Sequence, residues 1–359
     1  MLMPFRRQGL ALATALMLLL SAGLASAQTQ ASPVGALETA LFQAADSPQD
    51  NSVQVRQLLQ QGANLAARDS SGETVLMRAA AKAPISVVTT LLEAGAKVEV
   101  QGQPGGQTAL MKAVIYERPE VVNLLLAKGA NLEAKTAAGW TALTFAASRG
   151  NLEMVKLLLA HQANMESKSN FGATVLYQAA WDDKLEVVKL LLARGANLEA
   201  GSNQGYTPLI AAANAGHPAV VAILLESGAK IEARDNNGGT PLFHAAWGGQ
   251  AEVAKVLLAR HANIEAGNNM GFTPLIVACR QGHIEVIKLL LASGAQLESR
   301  DKSGRTPLTS AAEEGQGEAV NLLLSKGAHI EKMTFDAATD HPDVRQLLEQ
   351  AQGGATGAK

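Results

Sequence analysis

Residues 207–239 read TPLIAAANAGHPAVVAILLESGAKIEARDNNGG and contain the local signals that specify the fold of this chain. Thr207 can cap a helix by accepting hydrogen bonds from its first N–H groups, and Pro208 suits the first helical position. Gly216 ends this helix, and the apolar run VVAILL forms a second helix that ends at Gly228. The remaining IEARDNNGG is polar and typical of a hairpin loop. Such a motif cannot bury its own apolar face, so it needs neighbours on both sides.

The motif recurs along the chain at a nearly fixed period. Its Thr returns every 33 residues from Thr108 to Thr306, while Thr74 lies 34 residues before Thr108 and Thr39 lies 35 before Thr74. A Gly-Ala pair marks the end of the second helix in most of the repeats. Self-similarity at this period is the signature of a stacked repeat array.

The triplet TPL at 207, 240, 273 and 306, with GH at 216 and 282, resembles the ankyrin repeat. The resemblance covers residues 37–350. It implies an all-α solenoid of helix–turn–helix motifs with short β-hairpin loops, about nine full repeats plus a reduced C-terminal cap. It also implies a right-handed arc whose concave surface and hairpin tips dock a partner protein. A fold hosts many functions, so the partner must be sought in the surface residues.

Two repeats lack the Gly that normally closes the second helix. Gln162 and His261 stand in its place. A left-handed backbone at a non-Gly residue costs on the order of 1 kcal/mol. The sequence therefore predicts local strain at these two positions.

The first 27 residues have the pattern of a cleavable signal peptide. Arg6 and Arg7 precede an apolar run, and Ala25-Ser26-Ala27 offers a cleavage site after Ala27. The run is short for a membrane span, and no Cys near the site could accept a lipid. We therefore expect a mature chain in the periplasm or the medium, with no membrane insertion.

The rest of the chain is predicted as one array with two short ends. Residues 28–36 are expected to form a flexible leader, residues 37–350 the repeat domain, and residues 351–359 a disordered tail. Without the signal peptide, 28 basic residues face 32 acidic ones, a net charge of −4. This mild charge disfavours a nucleic-acid partner.

No catalytic constellation emerges from the sequence. It contains no HExxH, CxxC, GxSxG or phosphate-binding Gly loop. Cys279 is the single cysteine, so no disulfide can form within the chain, and it reads as a small buried thiol. The resemblance implies that His217 and His283 help to hold the turn between helices. We expect no enzymatic activity, no metal and no cofactor.

The aromatic residues carry the functional hypothesis. All three Trp fall on positions that vary between repeats and are nominally exposed, either just before the Thr or seven residues after it. Exposed aromatic side chains favour a binding surface, and Trp, Tyr and Arg dominate the energetics of protein interfaces. Tyr177 and Phe243 remain undecided between the inner face and the interhelical core. The predicted partner-binding residues are Tyr116, Trp140, Phe171, Trp181, Tyr206, Trp247, Phe272 and Arg280.

Two functions fit this surface. The favoured one is docking of another exported protein, for example an enzyme that the chain inhibits, protects or scaffolds, by a monomer. The alternative is binding of carbohydrate or cell wall, because Trp rings stack on sugars. That alternative requires polar groups beside the rings, and Asn170, Asn214 and Asp182 are the candidates.

Overall fold

The computed structural model describes residues 35–356. The predicted signal peptide, most of the predicted leader and residues 357–359 lie outside this range. Twenty helices run through the described residues: α1 (Ala36–Ala45), α2 (Ser52–Gln60), α3 (Val75–Lys82), α4 (Ile85–Glu93), α5 (Ala109–Ile115), α6 (Pro119–Ala127), α7 (Ala142–Arg149), α8 (Leu152–Ala160), α9 (Val175–Trp181), α10 (Leu185–Ala193), α11 (Pro208–Ala215), α12 (Pro218–Glu226), α13 (Pro241–Trp247), α14 (Ala251–Ala259), α15 (Pro274–Gln281), α16 (Ile284–Ala292), α17 (Pro307–Glu313), α18 (Gly317–Ser325), α19 (Lys332–Ala337) and α20 (Pro342–Thr356).

The described chain divides into two compact units. The first unit, residues 35–170, contains α1 to α8, and the second unit, residues 171–356, contains α9 to α20. Within each unit, the first helix of a repeat packs on its own second helix and on the first helix of the next repeat. The second helices of successive repeats also touch. This is the all-α solenoid that the period predicted.

The repeated Thr caps the first helix of its repeat. In the motif at 207–239, the Ile210 N–H donates to Thr207 Oγ1 at 3.3 Å, and Pro208 begins the helix. Thr39 is an exception, because it lies inside α1 and its hydroxyl donates to the carbonyl of Gly35. The first repeat, with its altered spacing, therefore does not share the cap of the others. In the other repeats, a backbone N–H of the first helix donates to the Thr hydroxyl and confirms the cap. These residues are Thr74, Thr108, Thr141, Thr174, Thr207, Thr240, Thr273 and Thr306.

Small and branched residues fill the core between the repeats. Ala211, Ala212 and Ala213 are completely buried, because the absence of bulk lets the neighbouring first helices approach closely. Leu209 and Leu224 are also buried and represent the large side chains of the core. Burial of such side chains supplies the hydrophobic free energy that a single repeat cannot gain alone.

The loops close as tight turns, and the described residues contain no strand. The Asp235 N–H donates to the Gly239 carbonyl at 3.0 Å, and the same pattern recurs in other repeats. The one bridge of β type joins Arg68 and Thr74 and stands isolated. Successive tips are linked directly, since the Asn236 N–H donates to the Gln204 carbonyl at 3.0 Å. The predicted hairpins therefore exist as hydrogen-bonded turns and form no sheet within residues 35–356.

The left-handed backbone predicted at two non-Gly positions is confirmed. Gln162 has φ 68° and His261 has φ 63°. Glu117 and Asp183 are left-handed as well, with φ 58° and 57°. This second pair was not predicted, although both residues stand where later repeats carry Gly at the end of the first helix. Period alignment of that Gly was the signal that could have found them.

Replacing Gln162 or His261 by Gly is expected to stabilise the protein by about 1 kcal/mol, since Gly adopts a left-handed backbone without steric cost. Urea unfolding measures the gain. The control is Gly228→Ala, because Gly228 has φ 95° and an added Cβ there meets no atom within 4 Å. That control should lose stability through backbone strain alone. Lower stability of both Gly variants would contradict the assignment of strain.

The C-terminal cap is confirmed as a reduced helix pair. Helix α19 begins soon after the preceding repeat, and α20 packs on α18. Helix α20 continues to Thr356, so residues 351–356 are helical, although they were predicted to belong to a disordered tail. Ala and Gln, which are good helix formers, extend the helix through Ala351 and Gln352.

Candidate functional site

The first unit holds two of the predicted contact residues. Tyr116 follows directly after α5, and 47% of its surface is exposed. Trp140 precedes the cap of α7 and is half-buried. Its ring packs edge-on against Phe145, with centroids 5.1 Å apart. Trp140 therefore has a fixed orientation while part of its ring remains accessible.

In the second unit, Trp181 ends helix α9 and is half-buried. Its ring lies parallel to that of Tyr177, four residues earlier, with centroids 6.4 Å apart and an interplanar angle of 6°. Burial, followed by the influence of Tyr206 and Asp182, raises the pKa of Tyr177 above its ordinary value. Tyr177 thus stays a neutral phenol that supports the indole ring.

Trp247 ends helix α13 in a similar way. Its centroid lies 6.1 Å from that of Phe243, again four residues earlier on the same helix. Phe243 is buried, whereas Trp247 is half-buried. Residues four apart share one face of a helix. This four-residue spacing was the signal in the sequence that could have predicted the contacts of Tyr177 with Trp181 and of Phe243 with Trp247.

Tyr206 precedes the cap of α11 and is half-buried beside two buried side chains, Asp235 and His244, that are hydrogen-bonded to each other. Its ring meets the ring of His244 edge-on, with centroids 4.8 Å apart. The Nε2 of His244 lies 2.9 Å from Asp235 Oδ2. Burial opposes the charge of Asp235, but the hydrogen bond and charge of His244 and two backbone N–H groups lower its pKa. Burial and the charge of Asp235 raise the pKa of Tyr206 to about 12.

The expectation that Phe272 is exposed is wrong. Only 6% of its surface is accessible, because two guanidinium groups cover its ring. The Cζ atoms of Arg280 and Arg305 lie 5.1 and 5.5 Å from its centroid. Phe272 thus acts as a platform that orients two arginines, an arrangement stabilised by cation–π attraction. The 33-residue period does not predict the burial of Phe272, because one of the two covering guanidinium groups, that of Arg305, comes from the next repeat.

Both arginines over Phe272 are paired with carboxylates. Arg280 donates to Glu314. Arg305 donates through Nη1 to both oxygens of Glu313, at 3.0 and 2.9 Å, and through Nε to Asp301 Oδ2 at 2.8 Å. Arg280 is half-buried. The charges of Arg280 and Arg305 are therefore already neutralised by carboxylates of the protein itself.

Phe171 and Met270 lie on hairpin tips of the second unit, with 56% and 52% of their surfaces exposed. Among the eight predicted contact residues, Phe171 and Tyr116 are exposed, and the other six are half-buried or buried. The three Trp were expected to be exposed and are instead half-buried. Each Trp ring is partly covered because it packs against an aromatic neighbour of its own repeat.

Two of the three side chains proposed to hold sugar hydroxyls, those of Asn170 and Asp182, are engaged within the protein. Asn170 donates from Nδ2 to the carbonyl of Ala137 at 2.7 Å. Asp182 accepts from Gln178 Nε2 at 2.7 Å. Sugar binding needs polar groups directed at the ligand beside the rings. Nothing in these contacts supports the carbohydrate alternative.

The described residues offer neither a reactive thiol nor a metal site. Cys279 is completely buried, and burial raises the pKa of its thiol, which keeps it protonated and unreactive. Within residues 35–356, no group of three His, Cys, Asp or Glu side chains is placed to hold a metal ion. The helices described include none that is long and apolar enough to cross a membrane.

Comparison with known proteins agrees with the architecture. A family model described as ankyrin repeats (3 copies) matches residues 11–102, 41–136, 110–202, 176–268 and 260–334. A search of curated proteins gives no match. The family matches overlap and extend over most of the chain, and they agree with the stacked helix pairs and Thr caps described above. The chain belongs to the ankyrin repeat family.

Proposed function

We propose that this protein is an exported, non-enzymatic monomer that docks a folded partner protein of the cell envelope or the medium. Ankyrin repeats are general protein-interaction modules. We assign the docking surface to the concave face and the hairpin tips, through Trp181, Tyr206 and Trp247 of the second unit. Phe171 contributes from a tip, and in the first unit Tyr116 and Trp140 are assigned the same role.

The observation that carries the proposal is the way each Trp ring is supported. Trp181 and Trp247 each pack against an aromatic residue one helical turn earlier, and this contact restricts the rotamers of the two Trp side chains. A contact residue that is already ordered loses little conformational entropy when it binds. Trp and Tyr side chains are enriched among the residues that supply most of the binding energy at protein interfaces. The contacts with Tyr177 and Phe243 therefore lower the entropy cost of ordering the two Trp side chains on binding.

The charges around these rings indicate the chemistry of the partner. Arg280 is paired with Glu314 and Arg305 with Glu313 and Asp301, so neither arginine needs a partner carboxylate. Charged residues are depleted in the centres of protein interfaces. We therefore propose that the partner presents an uncharged, partly apolar surface to the rings. Arg280, oriented by the buried ring of Phe272, contributes a preformed edge of this surface.

The proposed location rests on the first 27 residues, which lie outside the described structure. If the signal peptide is cleaved, the exported protein should begin at Gln28. N-terminal sequencing of protein recovered from the periplasm and the medium checks this. An uncleaved chain confined to the cytoplasm would contradict the proposal of export, and it would leave the docking surface untouched.

The proposed docking is tested by comparative capture. The mature chain and its Trp181→Ala/Trp247→Ala double variant are immobilised in equal, folded amounts and exposed to envelope and medium fractions. A specific partner should be retained by the unaltered chain and lost by the double variant, whereas Lys255→Ala on α14 should retain it. The Lys255 side chain is largely exposed and pairs with Glu252, so its loss is mild. Equal capture by all three chains would contradict the assignment of the surface.

A further inference from the structure

In the second unit, side chains from the following repeat hold the ends of the first helices. His217 Nε2 lies 2.9 Å from the carbonyl oxygen of Trp181, 36 residues earlier. His283 Nε2 lies 2.9 Å from the carbonyl oxygen of Trp247, again 36 residues earlier. These carbonyls belong to the last residues of α9 and α13. The last carbonyls of a helix have no N–H partner within the helix. Each imidazole therefore satisfies the last carbonyl of a helix that carries a proposed contact residue.

Gln replaces His at the same position in alternate repeats. Gln250 Nε2 donates to the carbonyl of Asn214 at 3.4 Å, and Gln316 Nε2 donates to that of Arg280 at 3.2 Å. The chain thus uses two different side chains for one hydrogen bond. An amide and an imidazole have similar reach and each offers an N–H. This internal variation predicts that Gln can replace His217 in this role.

The chemistry of the bond fixes the form of the imidazole. A carbonyl oxygen only accepts, so Nε2 of His217 and of His283 must carry the proton. The surroundings of the two Nδ1 atoms differ. His217 Nδ1 lies 3.8 Å from Asp183 Oδ2, and His283 Nδ1 faces Gly249, where an added Cβ would lie only 2.7 Å away. The link does not depend on Asp183, since His283 makes it beside a Gly.

We propose that His217 and His283 are positioning residues that hold Trp181 and Trp247 in the orientation presented to the partner. Each Trp residue is held at two places: its ring packs against an aromatic neighbour in the same helix, and its backbone carbonyl accepts a hydrogen bond from the imidazole of the next repeat. Without the link, the last turn of α9 or α13 can fray and the ring can turn away. The importance of this role for binding rests on the proposed function, but the geometric role does not.

The test uses the full chain with Trp181 as its single tryptophan, obtained by Trp140→Phe and Trp247→Phe. His217→Ala and His217→Gln are introduced separately. Hydrogen exchange of the Asp182 amide, which donates to the Gln178 carbonyl at 3.0 Å, reports the last turn of α9. Loss of one hydrogen bond should speed this exchange about fivefold. The fluorescence anisotropy of Trp181 should fall in His217→Ala and stay close to the starting value in His217→Gln.

Gln250→Ala provides the matched control. It removes the same bond from Asn214, so it should loosen the end of α11 and leave the anisotropy of Trp181 unchanged. Unchanged exchange at Asp182 in His217→Ala would overturn the proposal. So would equal loosening in His217→Gln, or a uniform rise in exchange throughout the second unit, which would indicate a general loss of stability.

The outcome also separates this inference from the proposed function. The exchange and anisotropy measurements need no partner. If His217→Ala loosens Trp181 and a captured partner still binds with unchanged affinity, the positioning role stands and the proposed surface falls. If affinity falls while the anisotropy stays unchanged, the positioning role is overturned and the surface remains.

Discussion

Replacing Leu209 by Ala is expected to lower the free energy of unfolding by about 2–5 kcal/mol, the range for cavities left by buried Leu side chains. Leu209 lies on α11 with 1% of its surface exposed. Helix α11 packs on α9, α12 and α13, so the cavity would weaken the contacts of one repeat with two others. Because repeats interact with their nearest neighbours, a loss at this point interrupts the coupling along the array.

Urea unfolding measures this loss, with Lys302→Ala as the control. The side chain of Lys302 is exposed on a hairpin tip, so its removal should change the free energy of unfolding by less than about 0.5 kcal/mol. The backbone N–H of Lys302, which donates to the Met270 carbonyl, is kept in this variant. Effects of similar size at Leu209 and Lys302 would contradict the core assignment.

Truncation of Trp181 or Trp247 to Ala is expected to lower the affinity for the captured partner by at least about 2 kcal/mol, or thirtyfold, the range of an interface hot spot. Both rings are half-buried, so some stability is also lost. The aromatic contacts with Tyr177 and Phe243 are each worth about 1 kcal/mol. The effect on affinity should therefore exceed the effect on stability.

Calorimetry gives the affinity, and urea unfolding of the same samples gives the stability. Trp247→Phe should retain more affinity than Trp247→Ala, because it keeps an aromatic ring next to Phe243. A structural role alone would lower the stability and leave the affinity of the folded fraction unchanged. Unchanged affinity at both Trp positions would end the case for this surface.

Much of the architecture follows from local sequence and its repetition. Thr207 and Pro208 begin a helix through contacts within three residues, and the fixed period repeats this signal. The Ala and Leu pattern then identifies the buried faces, because every repeat meets a neighbour of the same kind. The strain at Gln162 and His261 was predictable for the same reason, since their places in the period demand a left-handed backbone.

The irregular ends were less predictable. Thr39 matches the series in the sequence but lies within α1, because the altered spacing of the first repeat shifts the helix start. The extension of α20 to Thr356 likewise depends on the final helix itself. Where the period fails, the sequence gives no register, and only the packed structure defines the helix limits.

The repeat, its Thr caps from Thr74 onward, its core and the positions at which aromatic residues gather all follow from the amino-acid sequence. The accessibility and orientation of each ring depend instead on packing between the side chains of neighbouring repeats. The ring of Phe272 is buried because Arg280 and Arg305 cover it. The backbone carbonyl of Trp181 is bound by the imidazole of His217 in the next repeat. This difference arises because periodicity specifies only which repeats are neighbours. The rotamers and hydrogen-bond partners of individual side chains depend on the particular residues that the neighbouring repeat supplies.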